Sequence, residues 1–366
     1  MNILLVEPNF PIPAKSKNHC NFLPIGLLKI AAYHRKQGDK VELHRSNFPA
    51  KTYPNEIKIT SLFTYWSKHV WDSVSFYKAL YPKTRIQVGG IYASLMPEHV
   101  KQSGCDDVQI GLYHNGIAET YSPAYDMVNV DYQIIHASRG CFRRCNFCGT
   151  WKIEPEVTYK KTIKNEIRKK NLVFYDNNLI ANPNIKDILS EIAEFKFPNQ
   201  SRVICESQSG LDGRLLIKDP EIANFLKKAR FQHPRIAWDG PYAHWPKIKT
   251  QIQVLKDAGY PSEDIFIFML FNHDLSYEAM REKLDACRRW KVRVIDCRFR
   301  PLDSTSDNYK PNVKTQPEEE YYIHKGWIDR QVRAFRRAVR RQNIAIILDL
   351  PNGRYIEGVE KRYIPT

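Results

Sequence analysis

The chain has 366 residues, 43% of them hydrophobic, with eight cysteines and 56 Lys and Arg against 40 Asp and Glu, a formal net charge of +16. That length predicts two domains with room for an appendage, and cysteines this sparse exclude a disulfide scaffold. No run approaches the ~18 uninterrupted apolar residues of a membrane span, and the start, Met1-Asn2-Ile3-Leu4-Leu5-Val6-Glu7-Pro8, has neither a basic region nor a small-residue cleavage site, so the expected compartment is the cytoplasm, with no membrane partner.

Along residues 1–125, short apolar runs alternate with helical patterns, as in a doubly wound parallel sheet. Strands are predicted at 2–7, 40–44, 57–62, 85–88 and 108–110, with helices at 25–37, ended by Gly38, and 70–81. A Pro-containing polar segment, 121–131, reads as the linker. A second series follows, with strands at 133–138, 171–175, 202–206, 235–238, 264–270 and 292–298. Helices are predicted between them at 159–170, 185–195, 220–229, 247–258 and 277–290. Six strands with intervening helices predict a (β/α)6 arrangement with its site on the loops at the C-terminal strand ends. The fold class is therefore α/β: a Rossmann-like sheet over 1–125, a (β/α)6 partial TIM barrel over 126–310, and a helical extension over 311–366. The extension's helix is expected at 318–342, with Ile323, Trp327, Val332, Phe335 and Val339 on one face and Arg330, Arg333, Arg336, Arg337, Arg340 and Arg341 on the other. Residues 1–125 hold 14 of the basic and 9 of the acidic side chains, so the positive excess sits behind them. Such an excess either solvates a surface or meets a polyanion.

Three cysteines crowd into Ser138-Arg139-Gly140-Cys141-Phe142-Arg143-Arg144-Cys145-Asn146-Phe147-Cys148, a C-x3-C-x2-C directly after a predicted strand, while Cys20, Cys105, Cys205, Cys287 and Cys297 are scattered. Thiolates are the usual ligands of iron–sulfur clusters, and four would fill every iron of a cubane. Three leave one iron open to chelate the amino and carboxylate groups of S-adenosylmethionine (SAM). Two blander readings stand beside this one. A structural zinc wants four ligands, commonly in two separated pairs, and no second pair exists here; His136 is a conceivable fourth ligand, but strand alternation makes it an ordinary interior residue. Three buried thiols without a metal are the other. Cys287 and Cys297 read as buried structural thiols.

Ser-Arg-Gly-Cys followed by x3-Cys-x-Phe-Cys resembles the cluster loop of the radical SAM superfamily. The resemblance implies a [4Fe–4S] cluster on Cys141, Cys145 and Cys148, with Phe147 against the adenine and Gly149 beside it. It implies that Tyr175, Asp176 and Asn177 contact the methionine amino group, Asp176 having the alternative of a turn or cap residue, and that Glu206, Ser207 and Gln208 contact the ribose or carboxylate. It also implies an electron donor such as flavodoxin or ferredoxin. Pro24 to Gly38, and Val88-Gly89-Gly90-Ile91-Tyr92-Ala93-Ser94 to Glu98, resemble the cobalamin-binding domain preceding the barrel in one large class of that superfamily, with Gly89, Gly90 and Ile91 as cofactor contacts. The likeness covers residues 1 to about 300. Physically, Gly89-Gly90 ends a strand where small residues let backbone approach a ligand.

The chain departs from that class in four places, one of them a fourth strand that ends at Trp238-Asp239-Gly240. It lacks D-x-H-x-x-G, the source of a cobalt-ligating histidine. The acidic glycine turn becomes Gly111 to Glu119 with the bulky Tyr113, and the fifth-strand turn becomes Leu270-Phe271-Asn272-His273-Asp274. The expected function is cobalamin-dependent radical SAM methyl transfer to an unactivated carbon. Alternatives are a rearrangement, cyclisation or oxidation on a degenerate cobalamin domain, and a zinc-bearing nucleic-acid-binding protein. Arg298 and Arg300, at a strand end, point to an anionic small molecule, nucleotide or RNA as substrate, with Asp239 also at the mouth. The sequence assigns no oligomeric state.

Overall fold

A computed structural model describes residues 1–12 and 22–349; Cys20 and residues 350–366 of the expected extension lie outside the described residues. The chain begins β1 (Asn2–Val6), α1 (Ile25–Lys36), β2 (Lys40–His44), β3 (Glu56–Ser61), α2 (Ser67–Leu80), β4 (Arg85–Gly90), α3 (Ile91–Leu95), α4 (Pro97–Lys101) and β5 (Asp107–Gln109). There follow β6 (Tyr132–Ile135), β7 (Ser138–Arg139), α5 (Thr150–Ile153), β8 (Thr158–Tyr159), β9 (Asn171–Phe174), α6 (Ile185–Glu194), β10 (Ile204–Ser207), α7 (Gly213–Lys218) and α8 (Glu221–Lys228). Last come β11 (Phe231–Gln232), β12 (Arg235–Ala237), α9 (Trp245–Asp257), β13 (Phe266–Phe271), α10 (Tyr277–Arg289), β14 (Arg293–Arg298) and α11 (Asp329–Ile347). This is a mixed α/β protein with parallel sheets. Two compact units share the chain: 1–134, 140–157 and 301–308 form one, and 135–139, 158–300 and 309 onward the other.

In the first unit a parallel sheet runs in the order β2-β1-β3-β4-β5. β1 shows why a continuous apolar run was needed: its side chains alternate between two cores. Ile3 and Leu5 join Leu27 and Ala31 of α1, whereas Leu4 and Val6 join Ile57, Ile59 and the α2 residues Val70 and Val74. α1 stops at Gly38, whose φ of +84° suits glycine after a basic last turn of His34, Arg35 and Lys36.

Gly90 ends β4 at φ +105°, and a Cβ built there would sit 2.2 Å from the Ser61 carbonyl of β3. Gly90→Ala is therefore expected to cost about 3 kcal/mol or more, strain and backbone collision together. The control is Gly104→Ala, also at positive φ (+87°) but with open space around it, where only the conformational penalty of about 1 kcal/mol applies. Equal shifts of the two variants in denaturant melts would refute backbone collision as the cause.

The second unit has the sheet order β11-β10-β9-β6, reached by β6 through Ile135, and a three-stranded sheet β12-β13-β14, with a parallel bridge between Leu211 and Ile236. β9-β10-β11 and β12-β13-β14 pair in parallel. One apolar core runs beneath both sheets and takes in Val332, Phe335 and Val339 of α11, so the expected tail helix is part of this unit's core.

The helix expected at 159–170 does not form. Its only apolar pair is Ile163 and Ile167, too little to anchor a helix. Its backbone is taken instead by other partners: β8 pairs antiparallel with β7, the Lys160 amide donates to the Ala137 carbonyl (2.9 Å), and the Asn182 amide group donates to the Ala137 (2.9 Å) and Lys160 (3.0 Å) carbonyls. The tail helix starts at Asp329 rather than 318. Gly326 at φ +88° precedes it, and the Trp327 indole N–H is drawn to the His273 and Leu275 carbonyls (3.2 and 2.9 Å).

Candidate functional site

The cysteine segment is a loop between β7 and α5. The strand that leads into it is held within the second unit. Asp176, fully buried just past β9, accepts hydrogen bonds from the Ala137 amide (3.0 Å), the Ser138 amide (2.5 Å) and the Ser138 hydroxyl (2.7 Å). Burial pushes its carboxyl up to about 6 even against those donors. The carboxylate is thus committed to the strand that leads into the loop, which is the turn-residue role. Beside it Tyr175, half-buried, donates its amide to the Ile135 carbonyl (3.1 Å) and meets the His136 ring edge-on at 6.5 Å, with Asn177 half-buried next in line. His136 is buried, and its Nε2 lies 2.9 Å from Arg139 Nη1.

Within the loop, Gly140 at φ +74° would bring a Cβ 2.3 Å from the Glu156 carbonyl, and its amide donates to the Glu154 carboxylate (3.0 Å). Trp151 of α5 donates its indole N–H to the Cys145 carbonyl (3.0 Å), and the Cys148 amide donates to the same carbonyl (3.1 Å). The Arg143 amide donates to Cys141 Sγ (3.4 Å), and the Cys148 thiol donates to the Thr150 hydroxyl (3.3 Å). All three cysteines and Phe147 are half-buried, and none of the thiols is in a disulfide. Glu154, Trp151 and Asn182 are holding residues that cysteine spacing does not reveal. For Glu154 and Trp151 only nearness to the motif hinted at the role, and nothing in the sequence singled out Asn182.

The three thiols make the right donor set for an open cubane and share one loop pinned at both ends. Among the described residues, no three His, Cys, Asp or Glu side chains are gathered into a metal-holding group, so the fit rests on donor chemistry and loop placement.

The loop's exit packs inside the first unit: Gly149 faces Leu95 of α3 (3.4 Å from an added Cβ), and Gly111 faces the Ile153 carbonyl of α5 (3.6 Å). α3 begins with Ile91, so the Gly89-Gly90-Ile91 turn and the cysteine loop belong to one neighbourhood. The glycines serve strand packing there, Gly89 against the Gln109 side chain (3.3 Å) and Gly90 against Ser61. At that sheet edge Phe63 after β3, Ile91 after β4 and Ile110 after β5 are 43%, 42% and 57% exposed, an apolar shelf. Tyr113 is buried, its hydroxyl 3.0 Å from His34 Nε2, and His34 Nδ1 is 2.8 Å from Asp39; Tyr113 is part of the α1 packing.

In the second unit Glu206, Ser207 and Gln208 lie at the end of β10. Arg235 binds both the Glu206 carboxylate and the Ser207 carbonyl, while the Ser207 hydroxyl donates to the Ser209 carbonyl (2.9 Å) and the Gln208 amide to the Phe174 carbonyl (2.9 Å). Arg298 is buried, with its guanidinium over the Tyr309 and Tyr321 rings (4.5 and 5.2 Å) and donating to the Tyr322 carbonyl (3.1 Å). That is a packing position. Arg300 is half-buried two residues on, and Asp239 is exposed just past β12. No described helix is long and apolar enough to cross a membrane.

Neither a protein-family model nor a curated protein matches the chain. Solved structures it resembles include the carboxyl transferase domain of Rhizobium etli pyruvate carboxylase with pyruvate, at 12% identity over 99% of this chain and 55% of that one, with a TM-score of 0.26. The same domain with 3-bromopyruvate matches at 13% identity over 84% and 46%, with a TM-score of 0.24. The chain thus spans about half the length of these structures, and scores this low carry no argument about fold or activity.

Proposed function

We propose that the chain is a radical SAM enzyme that cleaves S-adenosylmethionine reductively at a [4Fe–4S] cluster on Cys141, Cys145 and Cys148, and that it methylates an unactivated carbon with the help of a cobalamin. The observation that carries this reading is the placement of the three-thiol loop: its exit, Gly149 and α5, packs on α3, whose first residue, Ile91, belongs to the exposed apolar shelf. Two further features support it. The first sheet's 2-1-3-4-5 order agrees with a Rossmann-like cobalamin-binding-type domain, and β6, β9, β10, β12, β13 and β14, divided between two sheets, match in number the strands that a (β/α)6 partial barrel needs.

When bound, the cluster would supply an electron to the SAM sulfonium and the cobalamin a methyl group. The chain's own residues hold and orient. Asp176 and Asn182 fix the strand from which the loop leaves, Glu154 and Trp151 fix the loop itself, and Phe147 offers a ring to the adenine. The loop that would carry the cluster is tied on both sides. A flavodoxin- or ferredoxin-type protein is the proposed electron donor.

Anaerobically purified protein incubated with hydroxocobalamin is expected to retain it through gel filtration, and turnover to yield both S-adenosylhomocysteine and 5′-deoxyadenosine. 5′-Deoxyadenosine alone, with an unmethylated product, would replace methyl transfer by rearrangement, cyclisation or oxidation. Zinc without acid-labile sulfide would end the radical reading altogether and leave a zinc-bearing nucleic-acid-binding protein.

A further inference from the structure

The sheet β12-β13-β14 has two unlike faces. Ile236, Trp238, Ile267, Met269, Phe271 and Val294 are buried, and Asp296 and Arg298 turn to the same side, Asp296 onto Arg336 of α11 (2.9 Å) and Arg298 onto the tyrosines. The opposite face is open: Ala237 and Asp239 are exposed, while Phe268, Leu270, Ile295 and Cys297 are half-buried. Parallel register puts Ala237, Phe268 and Ile295 in one row. Leu270 and Cys297 pair in the next, level with Asp239.

Around Asp239 this open face is apolar, in Phe268, Leu270 and Ile295. Among the described residues, Asp239 has neither a hydrogen-bond nor an ion-pair partner. The two cations whose charge acts on it make their hydrogen bonds elsewhere: Lys283 Nζ donates to the Trp238 (2.6 Å) and Gly240 (3.0 Å) carbonyls, and Arg214 pairs with Asp212 (2.9 Å). Deeper on this face Arg235 is spent on Glu206. A carboxylate on an apolar surface gains most from a ligand that brings both a positive charge and apolar area.

We propose that this face binds a small molecule carrying a protonated amine on an apolar body, with Asp239 receiving the ammonium and Phe268, Leu270 and Ile295 the apolar part. Lys283 is the positioning residue, gripping the carbonyls on either side of Asp239. The substrate class is thus cationic at this point, opposite in sign to the expectation drawn from Arg298 and Arg300. As the substrate of the proposed reaction it rests on that reading. Thiol labelling needs neither iron nor SAM, so either can fail without the other.

Cys297, level with Asp239, is the reporter. The full chain is treated with 2-(trimethylammonium)ethyl methanethiosulfonate or with the 2-sulfonatoethyl reagent, and disulfide formation at Cys297 is followed by peptide mass spectrometry. The cationic reagent is expected to react roughly fivefold to tenfold faster than the anionic one, as one unit charge within about 10 Å produces near a protein surface. With each rate divided by that reagent's rate at a free thiol, Asp239→Asn should lower the cation-to-anion ratio several-fold and Asp239→Lys lower it further, with denaturant midpoints checked for both variants. In wild type, phenethylamine should slow labelling by uncharged iodoacetamide and 3-phenylpropionate should not. Equal rates in wild type, an unchanged preference in Asp239→Asn, or protection by the carboxylate rather than the amine would each overturn the assignment.

Discussion

Alanine at any one of Cys141, Cys145 or Cys148 is expected to strip the anaerobically purified protein of its iron and acid-labile sulfide and to abolish reductive cleavage of SAM. On the proposed reading a cubane would have one of its four iron corners taken by SAM and the other three held by the three thiolates of this loop. Losing one leaves two anchors, and a second vacant corner is open to solvent and oxygen. The loop itself should survive, because its hold on the fold comes from groups that the change leaves alone: Asp176 on Ser138, Glu154 on Gly140 and Trp151 on the Cys145 carbonyl. The side chains removed are half-buried, so the stability cost should stay within about 1 kcal/mol. Cys205→Ala and Cys287→Ala give the opposite pattern. Both thiols are fully buried in the second unit's core and held protonated by that burial. These variants should lose stability through the cavity they leave while keeping iron and sulfide near wild-type levels. Loss of iron from Cys205→Ala, or retained sulfide and SAM cleavage in Cys148→Ala, would show that the cluster is held elsewhere.

The contrast between those cysteines was legible in the sequence because spacing carries it: three thiols within eight residues cannot all be core residues of one strand, whereas isolated ones can. The parallel α/β character was equally legible, since β1 is apolar at four of its five positions, as two-sided burial demands. What the sequence hid was pairwise geometry. Arginine after a strand reads as an anion clamp, but whether Arg298 faces the open side or the helices depends on β14 alternation together with Tyr309 and Tyr321, eleven and more residues further along. The glycine pair misled for a related reason. Local pattern says that backbone must be approached closely at Gly90, and only the β3–β4 register says that the approaching group is Ser61 of the same protein. The helix expected at 159–170 failed because weak local propensity yields when neighbouring strands and an asparagine take the backbone groups.

Asp176 supplies the second large effect, and its pH dependence distinguishes a buried anchor from a surface contact. Its carboxyl is raised from 3.8 to about 6 because burial outweighs three favourable donors. A group that holds its proton more tightly folded than unfolded contributes stability that is complete below the unfolded value and is lost as pH rises through the folded one. Wild type should therefore lose about 3 kcal/mol between pH 4 and pH 7 relative to Asp176→Asn, which does not titrate, since each pH step between the unfolded and folded values is worth about 1.4 kcal/mol. Asp176→Ala should be the worse variant at every pH, by about 3–5 kcal/mol, since it leaves the Ala137 and Ser138 donors buried without an acceptor. Because those donors sit three and four residues before Cys141, the alanine variant should also load iron poorly under conditions where Asp176→Asn still loads it. Denaturant melts across pH 4–7 with parallel iron determinations decide the matter. A wild-type-to-Asn gap that does not change with pH would mean that the carboxyl is not titrating in that range, and full iron loading in the alanine variant would mean that the loop does not depend on this anchor.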